Sequence, residues 1–154
     1  IPSRSVVPIE SATIRRLAEH PNIQAVKDAK GDLGAALELQ QTTDLAWYSG
    51  DDPLNLAFLA SGATGMISVI GHLAADKLKA MRDAFDKGDL AEARRIAVSL
   101  VPLQRAQQRL GGVAMVKSAL KLRGMDIGSP RLPITEPTEA ELHDLENDLQ
   151  EAGV

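Results

Sequence analysis

The chain has 154 residues with no cysteine, and it carries 17 basic against 21 acidic side chains for a net charge of −4. A chain of this length buries roughly 70% of its unfolded surface, enough for a core of its own. The interspersed charges offer no basic field for nucleic acid, four aromatic residues make no base-stacking platform, no apolar run reaches the ~18–20 residues of a membrane span, and the missing thiols point to the cytoplasm.

Ile1-Pro2-Ser3-Arg4 shows neither an initiating Met nor a signal segment, and reads as a stretch from inside a longer protein. Ile1-Pro2 is expected to end a strand, because proline holds its predecessor extended and cannot donate to a ladder. Ser11 is placed to cap a helix from about Ala12 to Glu19, ended by Pro21-Asn22. The apolar run Ile23 to Ala29 predicts a strand, and Asp32 lies near the start of a helix reaching Gln41. Leu45 to Ser49 predicts a second strand. Asp52-Pro53 supplies an acidic cap and an N1 proline for a helix to about Ala60, stopped by Gly62. Met66 to Ile70 predicts a third strand. Short apolar strands without clean alternation suit a parallel sheet covered on both faces, and the order βαβαβ implies an α/β fold.

The second half is helical. Leu73 to Lys87 forms one amphipathic helix, ended by Gly88. Asp89 caps the next, and Pro102 breaks the helical run before Leu103 to Leu110. Gly111-Gly112 precedes a helix from Val113 to Arg123. Three prolines, Pro130, Pro133 and Pro137, mark an irregular connection, and Thr138-Glu139-Ala140-Glu141 is a capping box for a last helix to Ala152.

Lys27 stands out because it falls near the carboxyl end of its strand, where parallel α/β folds present residues to a ligand. A lysine whose ammonium is partly desolvated there loses its proton and attacks a carbonyl to form a Schiff base. The structural alternative is an ion pair with Asp28 or Asp32. Arg4 follows a strand end one βα unit earlier, where its guanidinium either grips a substrate carboxylate or is solvated in a loop. In Ser49-Gly50-Asp51-Asp52, Asp52 reads as the helix cap and Gly50 as a close approach of backbone to ligand. Gly62-Ala63-Thr64-Gly65 precedes a strand instead of opening a helix, so it is no phosphate loop. His20, His72 and His143 are scattered, and no metal site is expected.

Pro2-Ser3-Arg4-Ser5, Val26-Lys27-Asp28-Ala29-Lys30-Gly31-Asp32, Tyr48-Ser49-Gly50-Asp51-Asp52 and Gly65-Met66-Ile67-Ser68-Val69, in this order, resemble the dihydrodipicolinate synthase family. Arg109 to Val113 and Gly128 to Pro133 resemble its actinobacterial branch. The resemblance implies the carboxyl-terminal half of a (β/α)8 TIM barrel, with about three complete parallel strands and helices over residues 1–87, then a helical extension over 88–154. It further implies a lyase of lysine and diaminopimelate biosynthesis that condenses pyruvate with aspartate 4-semialdehyde. Lys27 would form the pyruvyl imine, so no cofactor beyond that covalent imine is implied. Arg4 would hold substrate carboxylate, the Ile67 carbonyl would contact pyruvate, and Gly50 would lie on the rim. A barrel of this kind takes ~250 residues. The amino-terminal half, with the family's proton-relay tyrosines, threonine pair and Gly-Thr-Thr-Gly-Glu segment, is expected to be a missing partner without which the chain is inactive. The family is commonly a homotetramer. The competing readings are another pyruvate-dependent aldolase of the N-acetylneuraminate lyase superfamily and a non-catalytic helical interaction module.

Overall fold

The computed structural model describes residues 1–154, which divide by packing into two compact units, Ile1–Ser68 and Val69–Val154. The first unit is an α/β layer. Strands β1 (Ala25–Asp28), β2 (Ala46–Ser49) and β3 (Gly65–Met66) form a parallel sheet in the order β1-β2-β3. Its helices are α1 (Pro2–Ser5), α2 (Ser11–Ala18), α3 (Leu33–Thr42) and α4 (Asn55–Ala60), the last preceded by a 3-10 turn at Asp52–Leu54. Parallel neighbours need a crossover, and α3 and α4 supply the two that join the strands.

Strand register explains which side chains are buried. Val26 lies beside Trp47 and Lys27 beside Tyr48, so alternate residues point to opposite faces. One face packs Trp47 against Ala36, Leu39, Phe58 and Ala63, with Ile14, Val26, Leu33 and Leu54 around them. Burying a side chain of this size contributes about 1.5–3 kcal/mol each. The other face carries Ala25, Lys27, Ala46 and Tyr48 and is open: Ala25 and Lys27 are exposed, and Ala46 and Tyr48 are half-buried. Coverage of both faces, expected from the apolar strands, is therefore not found within this chain.

Several local expectations are corrected. Ile1-Pro2 ends no strand; Pro2 opens the single helical turn α1, where its fixed φ and missing N–H are both suited to the first position. Ser11 is the first residue of α2 rather than its cap, which is Glu10 in extended conformation. Asp52 likewise lies inside the 3-10 turn, with Asp51 at the cap position. The third strand stops at Met66, beyond which the Ile67 N–H still donates to Ser49 O at 2.7 Å. Asp32 does cap α3, accepting from the Ala35 N–H at 3.0 Å.

The second unit contains α5 (Gly71–Asp86), α6 (Leu90–Ser99), α7 (Val101–Leu110), α8 (Gly112–Leu122) and α9 (Glu139–Ala152). Helix α5 starts two residues before the expected Leu73 and carries a non-helical residue, Ala74, at φ −140° and ψ 41°. It thus belongs by packing with the helices that follow, α5 against α6 and α7 against α9. Leu78, Met81, Ile96, Leu100, Leu103, Met115 and Leu145 are buried in this unit. Asp89 caps α6 by accepting from the Glu92 N–H at 3.0 Å, and both bonds of the Thr138–Glu141 capping box are made. Asp148, 3% exposed, is held by Arg105 (3.0 Å from Nε to Oδ1) and Arg109 (2.8 Å to Oδ2). A buried carboxylate left without these partners would be strongly destabilising.

Candidate functional site

Lys27 is the third of the four residues of β1, at the carboxyl end of the sheet and on its open face. Neither ion pair expected of it forms. Asp28 is engaged elsewhere: its Oδ1 accepts from the Lys30 N–H at 2.8 Å and its Oδ2 from Trp47 Nε1 at 3.2 Å. Asp32 caps α3 and lies 3.7 Å from Lys30 Nζ. Lys27 is exposed and makes no salt bridge, so the partial desolvation on which imine formation depends is not supplied by this chain.

Gly50 lies against the stem of that lysine. A Cβ at position 50 would stand 2.8 Å from Lys27 Cε, 2.9 Å from its Cγ and 3.2 Å from Asp28 O. The glycine is needed for room rather than for a left-handed backbone, and its N–H donates to Asp28 O at 2.7 Å. Ile67 is 48% exposed and follows β3 by one residue, on the same end of the sheet. Lys27, Gly50 and Ile67 are therefore brought together along successive strand ends. Arg4 sits in α1, exposed. A hollow of about 70 Å³ is lined by Pro2, Ile14, Val26, Lys27, Lys30 and Asp32 among others, so α1 borders the lysine through Pro2 while Arg4 does not line the hollow.

One feature of this end escaped the sequence reading. The Asp52 carboxylate is 4% exposed, and its Oδ1 accepts from Asn55 Nδ2 at 3.0 Å and from the Ser68 hydroxyl. Beside it, burial and the Asp52 charge push the Asp51 carboxyl above its ordinary range. The signal was present as paired acids after one strand and a serine after the next, but sequence does not say that they meet. No three acidic, histidine or cysteine side chains converge as a metal site would require.

A parallel sheet with helices on one face, an open second face and polar residues at its carboxyl end is part of a (β/α)8 barrel, an architecture that places catalysis at this end. The chain belongs to the dihydrodipicolinate synthetase family, whose sequence model matches residues 1–152. It is 74% identical over all 154 residues to a 4-hydroxy-tetrahydrodipicolinate synthase of Corynebacterium urealyticum, covering 51% of that protein. A namesake from Mycolicibacterium paratuberculosis is 54% identical with the same coverage. Among solved structures, a dihydrodipicolinate synthase of Cyanidioschyzon merolae with lysine bound superposes with a TM-score of 0.94 at 35% identity. That match covers 99% of this chain and 53% of the other. A dihydrodipicolinate synthase of Bacillus anthracis gives 0.93 at 38% identity, covering 97% and 52%. The chain spans about half the length of the curated relatives it matches.

Proposed function

We propose that these residues serve a 4-hydroxy-tetrahydrodipicolinate synthase, in which Lys27 condenses pyruvate with aspartate 4-semialdehyde. The observation that carries this reading is the placing of Lys27, free of ion pairs, at the carboxyl end of β1 on the face the chain leaves open, with Gly50 flush against its stem. In the reaction, the neutral Nζ adds to the C2 carbonyl of pyruvate to give a carbinolamine, and uptake of one proton lets its hydroxyl leave as water, giving a protonated imine. Loss of a C3 proton yields the enamine, whose C3 forms the new carbon–carbon bond with the aldehyde. Covalent attachment replaces any cofactor. Gly50 leaves Lys27 room, the Ile67 carbonyl contacts the bound pyruvate, and Arg4 grips substrate carboxylate in the fork geometry suited to guanidinium.

The same reading assigns the rest of the relatives' length to the proton-transfer groups and to covering the open face. It also places the whole enzyme in the cytoplasm, as a homotetramer of lysine and diaminopimelate biosynthesis. No helix is long and apolar enough to cross a membrane.

The test is borohydride trapping with pyruvate in a chain of the relatives' full length. A reduced pyruvyl adduct mapped to Lys27, and lost in Lys27→Arg, is the expected outcome. An adduct on another lysine, or none, overturns the assignment.

A further inference from the structure

Beyond the residues named for substrate, we infer that Asp52 and Ser68 are positioning residues that aim the Ile67 carbonyl at pyruvate. The inference rests on the function proposed above. Backbone pairing between β2 and β3 ends with the Ile67 N–H donating to Ser49 O at 2.7 Å. One residue later the ladder is replaced by a side chain, as the Ser68 hydroxyl donates to Asp52 Oδ1. The Ile67 carbonyl belongs to the peptide between these two anchors. With one neighbour held through its N–H and the other through its side chain, rotation of that peptide is restrained on both sides.

The far anchor is itself rigid. Asp52 is 4% exposed and Asn55 2% exposed, and Asn55 Nδ2 donates to the same Oδ1 at 3.0 Å. Asp52 begins the 3-10 turn that leads into α4, whose Phe58 is fully buried in the core. The bond therefore ties the loop after β3 to the core and to the Gly50 segment that packs on Lys27. A hydrogen bond to a charged acceptor in a buried setting is among the stronger ones, so its loss should be readable in kinetics.

Ser68→Ala, Ser68→Thr and Lys27→Arg are compared in a chain of the relatives' full length. Ser68→Ala is expected to raise the pyruvate KM about tenfold with a smaller change in the KM for the aldehyde, and to raise by the same factor the pyruvate concentration needed for half-maximal borohydride trapping. Ser68→Thr, which keeps the hydroxyl, restores both. Thermal unfolding of each variant separates aim from stability: a lowered melting temperature with an unchanged pyruvate KM overturns the positioning role, as does failure of threonine to rescue an alanine variant that remains folded. Should Lys27→Arg still trap pyruvate, the enzyme reading falls instead, a result distinct from any outcome at Ser68.

Discussion

At the scale of single residues, the carboxyl end of the sheet shows how one position is set by its neighbours. Gly50 has no side chain because Lys27 occupies the space, and Asp28, the next residue of β1, points to the opposite face from Lys27, where its oxygens accept from Lys30 and Trp47. Asp51 pays for its neighbour: burial and the adjacent Asp52 charge raise its carboxyl above the ordinary value of 3.8. The folded state thus holds that proton more tightly than the unfolded chain does. Its contribution to stability is full below about pH 3.8 and is lost as pH rises through the higher folded value. Asp51→Asn removes a charge that neutral pH forces on the site. Melting temperatures measured across pH are expected to place this variant above the parent at pH 7, with the gap closing below the unfolded value. A gap of equal size at every pH would show that the carboxyl's ionisation is not its source.

At the scale of elements, hydrogen-bonded caps separate two helices that look alike in sequence. Thr138 accepts from the Glu141 N–H at 3.4 Å and its own N–H donates to Glu141 Oε2 at 2.8 Å, closing a capping box, whereas Ser11 lies inside α2 and caps nothing. Thr138→Ala is expected to cost about 1 kcal/mol and lower the melting temperature by about 2–4 °C, while Ser11→Ala stays within about 0.5 kcal/mol because alanine is the better helix former. Calorimetry of the two variants checks this, and equal losses would sink it. The same pair shows what was legible beforehand. Where a signal is local, as in the Thr138 box, the Asp32 and Asp89 caps and the helix break before α7, the sequence reading located the element to within a residue or two. Where position depends on the packed chain, it did not: Ser11 moved one place into its helix, Asp52 turned from cap to buried acceptor, and β3 shortened to two residues. The site divides the same way. The strand-end positions of Lys27 and Gly50 were readable from the apolar runs before them, but the Asp52–Ser68 bond joins residues 16 apart and needs the β2–β3 register to be known.

At the scale of the whole molecule, the sheet of the first unit is the element with the most unmet surface. Its helix side buries Trp47 and Phe58, while its other side offers Ala25, Ala46, Tyr48 and the half-exposed Ile67 around the Lys27 charge. Strands β1 and β3 each pair along one edge only, so their other edges present backbone donors and acceptors that a further strand could use. Closing a barrel removes such edges and covers such a face, and the relatives are about twice as long as this chain. A polypeptide of these 154 residues alone is therefore expected to self-associate. Sedimentation equilibrium should show a weight-average mass that climbs with concentration, together with binding of a dye that reports exposed apolar surface. Adding the remaining half of the barrel as a separate polypeptide should replace this drift by one complex of defined stoichiometry and bring back pyruvate trapping on Lys27. A monomer at every concentration, with no dye bound, would mean that the open face is satisfied within the chain and that the barrel's other half is not what it is shaped to meet.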